Sequence, residues 1–205
     1  MTEQVELTVP VDHSVGGMYG HLFRRVFHIG MSIIPFVYFE YADDLSDYIS
    51  INQMQLVSSL VIALVLSEAV RLKLGITIFG QRDYESKQVS ALAWGGLAVG
   101  LTFLALPESP ELVWPLILSL SLGDPFLGEV RRKGYESKTV FISGSFFIAM
   151  IWIACWVQLS TPIWLVAIMA PLCVASEWPR LRYIDDNATM LLIPLSAIMV
   201  LLPWM

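Results

Sequence analysis

The chain divides into apolar stretches long enough to cross a lipid bilayer, and this constrains its fold more than any single motif. A spanning helix needs about 20 mainly apolar residues. Seven candidate stretches lie between polar or Pro-containing punctuation: about Val26 to Tyr41, Met54 to Ala69, Val89 to Leu106, Leu112 to Leu122, Val140 to Val157, Ile163 to Ser176 and Ala188 to Trp204. The expected fold class is therefore all-α, a polytopic membrane helix bundle of about seven transmembrane helices. Composition agrees, with 56% hydrophobic residues and only 15% charged, where soluble domains carry roughly 25% charge. The first stretch is short and contains His28 and Pro35, so a re-entrant segment is the alternative there. Residues 1–25 read as a cytoplasmic amphipathic arm and residues 26–205 as one integral membrane domain. The arm has no apolar core followed by a cleavage site, so no removable signal peptide is expected.

Orientation follows from the cations, because Lys and Arg are retained on the cytoplasmic side during insertion. Arg24 and Arg25 precede the first stretch, and Arg71, Lys73, Arg82 and Lys87 lie between the second and third. Arg131, Arg132, Lys133 and Lys138 lie between the fourth and fifth, and Arg180 and Arg182 between the sixth and seventh, which completes all 12. The opposite side receives Glu40, Asp43, Asp44, Asp47, Glu108 and Glu111 and no cation. A missed crossing would invert every later loop. The partition therefore predicts seven crossings, N-terminus cytoplasmic and C-terminus outside, in a multi-pass cell-membrane protein. It also locates the formal net charge of -6 in the six outer acids, since the cytoplasmic side holds 12 cations against the other 12 acids.

A net-acidic chain has no electrostatic footprint for nucleic acid. Cys155 and Cys173 sit within apolar runs and offer neither a disulfide framework nor a zinc-ribbon spacing. Neither a Walker loop nor a serine-hydrolase elbow is present.

The acids at the cytoplasmic ends of the apolar stretches carry the chemistry. Asp124, in Leu118-Ser-Leu-Ser-Leu-Gly-Asp-Pro-Phe-Leu-Gly128, ends an apolar run. An ionisable group at that depth costs a few kcal/mol unless it faces protein, water or a metal. Pro125, Gly123 and Gly128 are expected to open the backbone there for a ligand, or Asp124 to cap the next turn. Glu68 and Glu177 are placed alike, though Glu68 is also spaced to pair with Arg71 on one helical face. Asp185 and Asp186 open the last stretch, where acids also complement a helix dipole. Such carboxylate stations on one face are what a divalent cation and a polyphosphate require.

The tetrapeptide Tyr-Glu-Ser-Lys occurs at Tyr84 to Lys87 and at Tyr135 to Lys138, each time before a helix entering from the cytoplasm. Helix starts present unpaired N–H groups and positive partial charge. With Arg82, or with Arg131, Arg132 and Lys133 nearby, the two starts are candidates for a phosphate cradle. Ser143-Gly144-Ser145 reads first as a close-packing patch. His28 is the lone histidine of an apolar stretch, where an interior hydrogen-bonded role is the ordinary one.

Four stretches together resemble the CTP-dependent polyprenol kinase family, the dolichol, phytol and farnesol kinases, which are relatives of phosphatidate cytidylyltransferase. Arg24-Arg-Val-Phe-His-Ile-Gly30 is similar to the family's Arg-Lys-x-x-His-x-x-Gly, with the glycine displaced by one. Glu68-Ala-Val-Arg71 followed by Arg82-Asp-Tyr-Glu85 resembles its second cytoplasmic loop. Leu122-Gly-Asp-Pro-Phe-Leu-Gly-Glu-Val-Arg-Arg132 resembles its Gly-Asp element. Glu177 and Ile184-Asp-Asp-Asn187, leading into Leu192-Ile-Pro194, resemble its last loop and helix. The family's Lys-Ser/Thr-x-Glu-Gly-Ser nucleotide stretch is matched only in part by Lys138-Thr-Val-Phe-Ile-Ser-Gly-Ser145, which lacks the Glu.

The resemblance implies a kinase that moves the terminal phosphate of a nucleoside triphosphate, with CTP expected, to an isoprenoid alcohol such as dolichol, phytol or geranylgeraniol. Mg2+ or another divalent cation is the implied cofactor. In that scheme Asp124, Asp186 and His28 are catalytic, and Asp124, Asp185 and Asp186 hold the metal. Arg82, Arg131, Arg132, Lys138, Gly144 and Ser145 receive the nucleotide phosphates, and Glu68 and Glu177, with His28, shape the alcohol end. Expected partners are membrane lipid, the alcohol and the nucleotide, and no nucleic acid. The alternatives are a CTP-dependent lipid cytidylyltransferase and an ion or small-solute carrier. No stretch carries a charge at its centre to relay an ion, which weighs against the carrier.

Overall fold

The computed structural model describes residues 14–179, 181 and 183–205, and among these it is helical throughout, with one isolated β-bridge between Ser14 and Arg82. Eight α-helices follow in order: α1 Gly17–Gly30, α2 Ile34–Tyr48, α3 Gln53–Leu74, α4 Ala91–Ala105, α5 Pro110–Arg132, α6 Ser137–Leu159, α7 Trp164–Ala175 and α8 Asp186–Leu201. A 3-10 turn at Met31–Ile33 links α1 to α2, so the two form one helical run of 32 residues from Gly17 to Tyr48. Pro35 sits in the first turn of α2, where its missing N–H breaks the ladder without leaving a donor unpaired. The first apolar stretch is thus longer than expected and starts nine residues earlier, because Arg24, Arg25 and His28 turn inward within α1.

Four helical segments are long and apolar enough to span a bilayer: Gly17–Tyr48, Gln53–Leu74, Ser137–Leu159 and Asp186–Trp204. Ala91–Ala105 and Trp164–Ala175 are apolar but shorter. The outward faces are oily, with Tyr19 78% and Phe146 69% exposed and Leu60, Ile62, Leu66, Met150 and Val157 also exposed. The buried set, in contrast, includes His28, Glu68, Arg71, Glu85, Glu177 and Asn187. Apolar outside with polar groups inside inverts the soluble pattern and suits a hydrocarbon solvent.

Helix ends follow their sequence signals. Asn52 and Gln55 form a reciprocal capping box at the start of α3, with bonds of 2.8 and 3.0 Å, and Gly75 closes the helix at φ 65°. Ser90 caps α4 by accepting from the Ala93 N–H at 3.1 Å.

The centre of the bundle is α5, whose Leu116, Ile117, Leu120 and Leu127 are fully enclosed. It runs antiparallel to α6, with Trp152 Nε1 donating to Ser119 Oγ at 3.0 Å. The expected end of this helix near Leu122, with Pro125 opening the backbone, is not what forms: α5 continues to Arg132 with Pro115 and Pro125 inside it. Pro125 forfeits one backbone bond, which a helix enclosed by neighbours tolerates. Asp124 is consequently a mid-helix residue and caps no turn.

Candidate functional site

One end of the bundle gathers the charged segments: the inner face of α1, the last turn of α3, the 3-10 turn Asp83–Lys87, the C-terminal turns of α5, the segment after α7 and the start of α8. Long-range ion pairs stitch them together. Arg24 meets Glu85 at 2.9 Å, Arg25 meets Glu129 at 2.9 Å, and Arg131 forms a bidentate pair with Glu177, Nη2 donating to Oε2 at 2.8 Å. At the opposite end, Asp43, Asp47 and Glu108 line a shallow basin of about 590 Å³. Among the described residues, these ion-paired arginines and this acidic basin thus lie at two ends of one bundle.

Within the charged end, Asp124, Glu177 and Asp186 each present a carboxylate oxygen within 4.8 Å of the others. They come from α5, the turn after α7, and the first residue of α8. His28 joins them from α1, with Nδ1 3.1 Å from Asp124 Oδ2. Four chain segments more than 150 residues apart at their extremes thus meet at one point.

The donors are hard oxygens, the chemistry that suits Mg2+. Arg131 occupies both oxygens of Glu177 and lies over the Trp178 ring, 5.0 Å from its centroid, so the Glu177 carboxylate is held in place from behind. Each carboxylate oxygen keeps a further lone pair for a cation. The Glu177 side chain is only 2% exposed. Burial, and next the Asp124 charge, push it up to about 8 against the pull of Arg131. Crowded carboxylates with this bias are stabilised by whatever cation relieves them.

Around the cluster, Arg82 Nη1 donates to the Tyr84 hydroxyl at 2.6 Å. Burial opposes the Arg82 charge, but Tyr84, Asp186 and Asp185 outweigh it and raise its pKa further. Its field therefore reaches the start of α8. Asp185 accepts from the Asn187 N–H at 3.1 Å as the N-cap of α8. Burial and then Asp186 hold it well above the usual carboxylate range. One of its oxygens serves the cap, and the group within 4.8 Å consists of Asp124, Glu177 and Asp186, with Glu177 in it and Asp185 beside it in sequence.

Several expected site residues lie elsewhere. Glu68, expected at the alcohol end, is enclosed by its own partners: Arg71 Nε and Nη2 donate to its two oxygens at 2.8 Å, and the Ser90 N–H donates at 2.6 Å. Arg71 also reaches the Ile76, Glu85 and Gln88 carbonyls, so this pair braces the segment between α3 and α4. Gly144, expected among the nucleotide residues, packs tightly against neighbouring helices. A Cβ there would lie 2.3 Å from Leu127 Cδ2 and 3.2 Å from Val174 Cγ2, which makes it a close-packing point of α5, α6 and α7. The Ser145 hydroxyl is buried beside it. Arg132 pairs with Glu129 at 2.7 Å on the exposed surface, and Lys138 is exposed on the first turn of α6. The two Tyr-Glu-Ser-Lys copies differ in form, the first a 3-10 turn and the second the entry to α6. Arg180 and Arg182 lie outside the described residues.

Sequence reasoning missed two participants. Glu85, 1% exposed, accepts from the Arg82 N–H at 3.0 Å, the Ala91 N–H at 3.1 Å and Arg24, and so anchors the whole charged segment to α1 and α4. Gln81 lies beside an apolar cavity of about 210 Å³ between α1, the Ile78–Gln81 segment and α4, lined also by Phe23, Phe27, His28 and Leu92. Acid spacing marks the first only weakly, and nothing local marks the second. The chain matches no family model, no curated protein and no solved structure.

Proposed function

We propose that this protein is a membrane-embedded kinase that transfers the terminal phosphate of a nucleoside triphosphate, CTP by the sequence resemblance, to the hydroxyl of an isoprenoid alcohol. The observation that carries the reading is the meeting of Asp124, Glu177 and Asp186 within 4.8 Å, beside His28, whose ring lines an apolar cavity. Phosphoryl transfer asks a protein mainly for positioning and charge neutralisation. An anionic donor, a cation and a greasy acceptor would find their partners around one histidine.

In this reading Asp124 and Asp186, backed by Glu177, hold a divalent cation, which when bound neutralises charge on the phosphate oxygens. Arg82, bonded to a phenol rather than a carboxylate, is placed to receive phosphate oxygens. Lys138 and Arg132, exposed at the same end, extend that field toward solvent. Asp124 orients the His28 ring, and Arg131 fixes the carboxylate of Glu177. The apolar helix faces let the alcohol arrive sideways from the bilayer. The chain crosses the cell membrane seven times in this scheme, N-terminus cytoplasmic, so that the charged end meets the nucleotide.

The deciding experiment incubates purified protein with CTP labelled at the terminal phosphate, Mg2+ and alcohols from farnesol to dolichol. Label on the lipid is expected. Label in pyrophosphate with a phosphorylated lipid acceptor would instead make it a cytidylyltransferase. Asp124→Asn should lower transfer by at least about a hundredfold with insertion unchanged, as loss of a charge-stabilising group commonly does; a fully active variant would sink the assignment.

A further inference from the structure

Two side chains that line the cavity of about 210 Å³ each carry a buried nitrogen whose hydrogen-bonding capacity is unspent. His28 Nε2 and Gln81 Nε2 are both enclosed and both lack a partner among the described residues, and the two side chains line the same apolar space. The residues are 7% and 5% exposed. An unsatisfied buried polar group costs about 1–3 kcal/mol, so two on side chains that line one cavity require an explanation.

Their surroundings define what each one lacks. Gln81 Oε1 accepts from the Ile78 N–H at 2.8 Å, which fixes the amide with its NH2 end free. That end is a donor seeking an acceptor. Backbone bonds hold the segment in place, Val15 N–H donating to the Gln81 carbonyl at 2.8 Å and Gly80 N–H to the Val15 carbonyl at 3.0 Å. Gly80, at φ +87°, permits the close approach to α1, since a Cβ there would stand 3.1 Å from the Gly20 carbonyl oxygen. His28 Nδ1, 3.1 Å from a carboxylate oxygen of Asp124, carries the proton in the neutral ring, because two acceptors do not face each other at that distance. Nε2 is then a lone pair seeking a donor.

Water and an alcohol hydroxyl each supply an acceptor and a donor from a single oxygen, and of the two only the alcohol brings a hydrocarbon tail that matches the Phe23, Phe27, Phe79 and Leu92 lining. We propose that this cavity seats the hydroxyl of the acceptor lipid, which donates to His28 Nε2 and accepts from Gln81 Nε2. The proposal rests on the kinase reading only for the identity of the lipid. Phe23, Phe27, Phe79 and Leu92 line the cavity and are also exposed on the outer surface, so the hydrocarbon tail leaves sideways into the bilayer. The hydroxyl is thereby held on the ring that Asp124 orients, at the edge of the carboxylate group. Gln81 becomes a substrate-positioning and selectivity residue, favouring alcohols over ethers and hydrocarbons of equal length.

The test measures binding of radiolabelled farnesol to the full chain in lipid nanodiscs, with farnesyl methyl ether as competitor and phosphate transfer followed in parallel. Wild type should bind farnesol at least tenfold tighter than the ether, which has no proton for Nε2. Gln81→Glu keeps an oxygen for the Ile78 N–H but removes the free donor, and should weaken farnesol binding tenfold or more. Leu92→Trp, at the exposed mouth where folding is not at stake, should block the cavity and abolish binding. Equal affinity for alcohol and ether, or unchanged binding by both variants, overturns the proposal. If the binding pattern holds while no phosphate is transferred, the cavity assignment stands and the kinase reading falls. Should transfer occur with KM for the alcohol unchanged in both variants, the kinase reading stands and this one falls.

Discussion

At the scale of single residues, carboxylates that look alike in the sequence differ in what they touch. Glu68 and Glu177 both close an apolar stretch and both pair with an arginine. Glu68 is enclosed by Arg71 and the Ser90 N–H, whereas Glu177 faces two further carboxylates. Their substitutions should therefore separate. Glu68→Gln leaves the buried Arg71 charge short of its partner, a change that costs about 3–5 kcal/mol; a clear fall in thermal midpoint is expected, and an unchanged midpoint would remove Glu68 from its bracing role. The carboxylate group responds to metal instead. Saturating Mg2+ should raise the midpoint of the wild type, since a ligand at a hundred times its Kd stabilises by about 2.7 kcal/mol. The same addition to Asp186→Asn should give a smaller rise, and equal shifts in the two proteins would exclude a cation at this cluster. Asp124, Asp186 and Glu177 were all legible as candidates, because acids at the ends of apolar runs are costly wherever they lack a task. Gln81 was not legible. A polar residue in a polar loop becomes notable only when folding buries it.

At the scale of elements, α5 departs most from its sequence signals. Glycine and proline at positions 123, 125 and 128 suggest an opened backbone, yet the helix runs through them to Arg132. Local propensity yields here because α1, α6 and α8 surround the segment and satisfy it by packing. Lipid tails are as apolar as leucine, so helices in a bilayer associate through close van der Waals fit rather than the hydrophobic effect. Gly144 is a point where that fit is tight, against Leu127 and Val174. Gly144→Leu would force α5, α6 and α7 apart, at about 1–3 kcal/mol or more by overpacking. A lower SDS midpoint for unfolding is expected; a variant as resistant as the wild type would show that the three helices have room to spare. Gly144 thus fits the packing reading of the Ser143-Gly144-Ser145 patch.

For the whole molecule, the separation of charge along the chain has a direct counterpart in three dimensions: a basic and acidic end carrying the carboxylate group, and an opposite end carrying Asp43, Asp47 and Glu108. With the buried Cys155 and Cys173 left in place, single cysteines at Asp47 and at Lys133 should react with a membrane-impermeant maleimide from opposite sides of sealed vesicles. Labelling of both from one side would refute the seven-crossing arrangement. The sequence by itself determined that the chain is helical and membrane-suited and which end Arg24, Arg25 and Arg131 occupy. Run length and charge order report each segment's preference for lipid or water, and that preference is local. Tertiary structure alone decided that His28 meets Asp124, that Glu177 joins Asp124 and Asp186 in the carboxylate group, and that Gln81 borders a cavity. These are contacts between segments up to 158 residues apart, from His28 to Asp186, and they depend on which helix faces pack together, a choice that no single segment encodes.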